Sequence, residues 1–221
     1  MILIHERYTS TDAAREAELA HVRERNAAAG LFASILPVAD GGRKTFADLF
    51  TLAAERFPGE VCVVANSDIA FDASLAGAEA MLRRSARPLL VALSRWDDPS
   101  GPSMEGRIDP TTWRFYSHSQ DTWIFVAGRL PAFDADFTLG VPACESRLAY
   151  EATAAGVAVV NPALSIRTWH HHASAVRTWQ LRDAYRGPLY FPRLTTLEAE
   201  GCEGYVLDRS RWRTRKQVVR C

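Results

Sequence analysis

Short apolar runs alternate with amphipathic, charge-laced stretches through the N-terminal half of the chain. Met1 to Tyr8 is apolar and β-branched and predicts a strand at the very start. Ser10 or Thr11 then caps a helix, with Asp12 in its first turn suiting the positive end of the dipole. The Ala-rich helix runs to about Ala29, where Gly30 stops it. Leu31 to Val38 predicts a second strand, ended by Pro37 and the Asp40-Gly41-Gly42 turn. Thr45 caps the next helix, in which Phe46, Leu49, Phe50 and Ala53 recur at helical spacing, and Pro58-Gly59 closes it.

Glu60 to Ala65 is a continuous apolar run between turn residues, the pattern of a strand buried on both faces. A helix from about Leu75 to Ser85 and a strand from Leu89 to Leu93 follow. The order β-α-β-α-β-α-β predicts an α/β fold with a mostly parallel central sheet flanked by helices. Ligands in such folds sit beyond the carboxyl ends of the strands. Further on, Asp97 to Pro110 reads as a long loop, Thr122 to Val126 as a strand and Ser146 to Ala155 as a helix. Val157 to Val160 and Leu164 to Trp169 are β-rich. No linker divides the chain, so a single domain over 1–221 is expected, with 180–221 a C-terminal extension that ends in an Arg-rich tail. A solvated charged end is the stronger reading of Arg211, Arg213 and Arg215; closure over a diphosphate is the other.

Composition narrows the class. Among 221 residues, 26 Lys and Arg balance 26 Asp and Glu, which argues against a dedicated nucleic-acid or membrane-surface binder. The cysteines Cys62, Cys144, Cys202 and Cys221 are widely spaced, so reduced thiols and a cytoplasmic setting are expected. No apolar run is long enough to span a bilayer, and the N-terminus lacks a signal-peptide pattern.

Candidate chemistry falls just past the strands. Asn66-Ser67-Asp68 follows the buried strand, where a carboxylate suits a hard divalent cation; an Asx-turn or helix cap is the alternative. In His170-His171-His172 the strand period puts His170 and His172 on one face, as a metal pair or as a wet strand end. Glu145 sits at a helix mouth, either as a cap or as a general base kept ionised by the dipole, and Asp121 is the reserve base. Arg95 offers an anion contact and Trp96 an aromatic platform. P-loop, GxGxxG, GxSxG and zincin motifs are absent.

Five ordered segments carry a resemblance: Asn66 to Asp72, Ala92 to Asp97, Ser119 to Phe125, Leu139 to Glu151 and Asn161 to His172. Together they resemble small glycosyltransferase-like proteins of the glycosyltransferase-A fold, over about Met1 to Trp179. The resemblance implies a Rossmann-like domain in which Asn66-Ser67-Asp68 stands where an Asp-x-Asp motif holds a metal on a donor diphosphate. It implies Asp68, His170 and His172 as ligands of Mn²⁺ or Mg²⁺, and Glu145 as base. Asn66 replaces the motif's first acid, and Ala-Cys-Glu-Ser-Arg stands where relatives more usually read Gly-Cys-Asp-Asn-Arg. The expected activity is transfer of a sugar from a UDP- or GDP-sugar to a hydroxyl acceptor. Asn66, Ser67, Asp68, Arg95, Trp96, Trp123 and Arg147 are the expected donor or substrate contacts, with Trp96 or Trp123 lying against a sugar face. The alternatives are a non-catalytic sugar- or nucleotide-binding module, or a metal-dependent phosphohydrolase.

Overall fold

The computed structural model describes residues 1–39, 42–98, 101–102, 119–174, 176, 179–199, 202–208 and 213–219. The expected Asp40-Gly41 half of the first turn, most of the 97–110 loop, Arg211 and Cys221 lie outside them.

Six strands form the central sheet: β1 (Ile2–Glu6), β2 (Ser34–Val38), β3 (Val61–Ala65), β5 (Leu89–Ser94), β8 (Gln120–Val126) and β9 (Ala158–Val160), in the order β2-β1-β3-β8-β5-β9. β1 runs parallel to β2 and β3, and β5 parallel to β9, while β8 lies antiparallel between β3 and β5. The sheet is therefore mixed but mostly parallel. Every residue of β3, β5 and β8 is buried, which explains the near-continuous apolar sequence of β3 and β5, while β8 opens on the buried polar residues Gln120, Asp121 and Thr122.

The strand period sorts the side chains onto two faces. Ile4, Val64, Ala92 and Phe125 pack toward α2 (Phe46–Arg56) and α4 (Cys144–Ala154). Leu3, Val63, Val91 and Ile124 pack on the opposite face, toward α3 (Ala76–Arg84). On that face α1 (Ala13–Ala28) runs beside β4 (Ile69–Phe71). Thr45 closes a capping box with Asp48 at the start of α2.

Several boundaries differ from the sequence expectation. Asp12, next to the first helical residue Ala13, caps α1 by accepting from the Arg15 amide, and the Ser10 hydroxyl accepts from the Asp12 amide instead of capping the helix. Pro37 lies inside β2 instead of ending it; β2 is an edge strand, so its missing N–H costs no ladder bond. α4 begins at Cys144, two residues before the expected Ser146. Ser165 and Ile166 both donate to the Pro162 carbonyl, so that part of the expected strand is a turn.

Two further sheets were not read from the sequence as sheets. β4, β6 (Trp96–Asp98), β7 (Gly101–Pro102) and β10 (Thr168–His170) form one, in the order β4-β10-β6-β7. The C-terminal extension forms the other, an antiparallel sheet of β11 (Pro188–Pro192), β12 (Cys202–Asp208) and β13 (Arg213–Val219). Cys62 and Cys144 are buried free thiols, but Cys202 is disulfide-bonded, against the expectation of reduced cysteines. Separation along the chain does not report separation in space. Among the described residues, no helix is long and apolar enough to cross a membrane.

Candidate metal centre and the carboxylates beside it

β3 delivers the chain to its carboxyl end at Ala65, and a tight turn, with the Ile69 amide donating to the Asn66 carbonyl, turns Asp68 inward. β10 pairs antiparallel with β4, and the His171 amide donates to the Asp68 carbonyl at 2.9 Å. That pairing brings the two histidines to the carboxylate. Asp68 Oδ2 lies 3.3 Å from His172 Nδ1 and 3.6 Å from His170 Nε2. The ligand atoms of Asp68, His170 and His172 all fall within 4.8 Å of one another, and no other such trio occurs among the described residues.

The outer nitrogens define the tautomers. His170 Nδ1 donates to Asp97 Oδ1 at 2.8 Å, and His172 Nε2 donates to the Val176 carbonyl at 3.0 Å. Both acceptors lack protons to give, so the nitrogens facing Asp68 are the ones that would turn to a cation. Two imidazoles and one carboxylate make a donor set suited to a transition metal, better matched to Mn²⁺ than to all-oxygen Mg²⁺. Burial opposes charge on Asp68, but hydrogen bonds from His170, His172 and Arg15 hold its carboxyl well below the usual range. Burial likewise opposes His170 protonation, yet Asp68 and Asp97 raise its pKa to about 9. A metal entering this site displaces that proton. His171 points away, its Nε2 3.0 Å from Arg25 NH1 and its ring edge-on to His21.

Helix α1 fastens the centre from behind. Buried Arg15 donates to Asp68 Oδ2 at 2.6 Å and to the His171 carbonyl at 3.2 Å. Glu18, one turn on, accepts from Arg15 and from the Ala173 and Ser174 amides. Sequence reading missed Arg15, Glu18 and Asp97. Charges on an Ala-rich helix look like a solvated face, and Asp97 looked like the edge of a loop.

A second group of charges borders the first. Asp121 is 8% exposed, accepts from Asn66 Nδ2 at 2.6 Å and pairs with Arg95 at 3.1 Å. Arg95 also reaches Asp97 at 3.1 Å, linking this group to His170. Burial raises the Asp121 pKa against the pull of Arg95. Glu145, in the first turn of α4, is pushed up to about 8, by burial first and then by the Asp121 charge. The expectation that the helix dipole keeps Glu145 ionised is corrected: desolvation outweighs the terminus.

Other expected contacts have different positions. Trp123 is 1% exposed and packs edge-on against Phe46 at 4.4 Å, so it belongs to the core and offers no face to a sugar. Trp96 donates to the Ala163 carbonyl, and Arg167 lies over its ring at 5.3 Å, so its platform is covered. Arg147 pairs with Glu151 and donates to the Pro188 carbonyl at 2.9 Å, tying β11 to α4. The Ser67 hydroxyl donates to the Glu6 carbonyl at 2.6 Å. Asp72 caps the turn at Ser74 and accepts from Trp169 Nε1, apart from the metal trio.

No family model matches the chain. No curated protein matches it. Among solved structures it is similar to a crystal structure of a glycosyltransferase involved in the glycosylation of the major capsid of PBCV-1. The identity is 12%, the TM-score 0.29, and the match covers 46% of this chain and 55% of that one. The chain thus spans about half the length of that structure, and a likeness so partial transfers neither fold nor chemistry.

Proposed function

We propose that the chain is a metal-dependent glycosyltransferase that moves a sugar from a nucleoside-diphosphate sugar to a hydroxyl acceptor. The observation that carries this reading is the Asp68, His170 and His172 trio at the carboxyl end of β3, with both outer ring nitrogens already committed. Two of the five segments that resemble glycosyltransferase-A proteins contain these three residues.

Asp68, His170 and His172 would hold the metal, which when bound neutralises charge on a leaving diphosphate. Arg95, between Asp97 and Asp121, adds a cation beside that position. Glu145 is the base of this reading. A pKa of about 8 leaves only a minor fraction ionised at neutral pH, but makes that fraction a stronger proton acceptor. Its proton would come from the acceptor hydroxyl as the new glycosidic bond forms.

The test is release of nucleoside diphosphate from a panel of UDP- and GDP-sugars, with Mn²⁺ and with chelator. Metal-dependent release by the wild type, abolished in Asp68→Asn, supports the reading. Binding without release supports a non-catalytic module, and release of inorganic phosphate a phosphohydrolase; either outcome removes the transferase.

A further inference from the structure

A cavity of ≈ 290 Å³ lies between α1 and the carboxyl ends of β1, β2 and β3. Its walls are mainly apolar, with Leu3, Val22, Ile35 and Ile69 among them. Asn66 and Ser67 also line it, so it abuts the turn that carries Asp68. The volume sits at the low end of small-molecule pockets, about 300 Å³, and suits a single ring system more than a whole nucleotide.

One group in these walls stands out. His5 shares its strand face with Leu3 and is 8% exposed, yet it lines the cavity. Its Nδ1 lies 2.8 Å from the Glu6 carbonyl oxygen, which can only accept, so Nδ1 carries the ring proton. Burial lowers the His5 pKa, and Arg23 and Arg7 push it the same way, so the ring is neutral. Nε2 is then a bare acceptor, and no hydrogen-bond partner for it occurs among the described residues. Arg7 and Arg23 line the same cavity, and one Arg23 nitrogen is held by Glu16 at 2.8 Å. The cavity therefore brings one ring acceptor together with two residues whose guanidinium groups are able to donate.

We infer that this cavity binds a uracil-type base by its imide edge, with His5 Nε2 accepting the ring N3–H and the arginines donating to the flanking carbonyls. Uracil presents carbonyl, N–H and carbonyl in a row, the complement of donor, acceptor and donor. Cytosine would set the lone pair of its N3 against that of Nε2. Guanine would turn its exocyclic amino group toward a guanidinium. The inference rests on the reading of the chain as a user of nucleoside-diphosphate donors, and selects the base that reading left open.

Calorimetry of UDP, 3-methyl-UDP, CDP and GDP in saturating Mn²⁺ tests it, with wild type, His5→Phe and His5→Gln. For the wild type UDP should bind tightest, and N3-methylation should weaken it about tenfold or more, the scale of one lost hydrogen bond to a buried acceptor. In His5→Phe, UDP and 3-methyl-UDP should bind alike, while His5→Gln keeps part of the preference through its amide oxygen. Titration of Mn²⁺ alone into His5→Phe should match the wild type and shows that the variant is folded. If it does not, the wild-type comparison of UDP with its methylated form still decides. Equal binding of those two, or CDP or GDP binding as tightly, or no UDP binding, overturns the inference. UDP binding with N3 preference but without sugar transfer leaves the pocket standing and removes the transferase; transfer from a donor with another base does the reverse.

Discussion

Asp97 Oδ1 accepts from His170 Nδ1 at 2.8 Å, joining a residue of β6 to one of β10, the strand with which β6 pairs in parallel. Such a carboxylate turns the imidazole and raises its basicity toward a cation on the far nitrogen. Asp97→Ala should weaken Mn²⁺ binding by about 10- to 100-fold, and Asp97→Asn by less, since its amide oxygen still accepts from Nδ1. Calorimetric titration of Mn²⁺ measures both. Unchanged affinity in Asp97→Ala would mean that His170 is not a ligand.

The three consecutive histidines separate by strand face. His170→Ala and His172→Ala should each abolish measurable Mn²⁺ binding or weaken it at least as much as Asp97→Ala. His171→Ala should leave it unchanged, because that ring packs on His21 and Arg25. Electron paramagnetic resonance of bound Mn²⁺ checks the set. A dominant effect at His171 would place the metal elsewhere.

Glu145 should leave its mark on pH dependence. Its folded pKa of about 8 stands above the ordinary carboxyl value of 4.5, so folding takes up a proton between these values. Stability from the protonated carboxyl is full below the lower value and is lost as pH rises through the upper one. Glu145→Gln cannot ionise, so its stability relative to the wild type should grow between about pH 5 and about pH 9 in urea unfolding. A difference that stays constant with pH would mean that the carboxyl is not raised. In turnover, the wild-type rate should climb toward about pH 8, and Glu145→Gln should fall by about 10²-fold or more with donor binding retained.

The C-terminal sheet should be separable from the metal centre. A Cβ at Gly204 would run into the ring of Tyr190, which is 1% exposed within the α2 and α4 core and has no room to yield. Gly204→Ala should therefore cost about 1 to 3 kcal/mol by overpacking, read from urea unfolding, with Mn²⁺ affinity retained. Retained stability would mean that β12 shifts to accommodate the methyl.

Much of the architecture was present in local pattern. The continuous apolar runs of β3 and β5, the Thr45 cap and the Gly30 stop are short-range signals that tertiary packing did not override. The shared face of His170 and His172 is also local, since it needs only the period of a strand. β4 and β6 are three residues each, too short for any period to register, and they exist because β10 pairs with both.

The functional character of single residues was decided in space. Trp123 and Trp96 have the sequence of platforms, yet one is core and the other lies beneath Arg167. Arg15, Glu18 and Asp97 became parts of the centre only when α1 and β6 were set against Asp68 and the histidines. Glu145 shows the physical reason most directly. A helix start can be read from neighbouring residues, and it argued for an ionised carboxylate. Desolvation and the Asp121 charge come from groups distant along the chain, and in the folded protein they outweigh the dipole. Periodicity and capping act over a few residues and so are written locally; burial and charge proximity are sums over the whole fold.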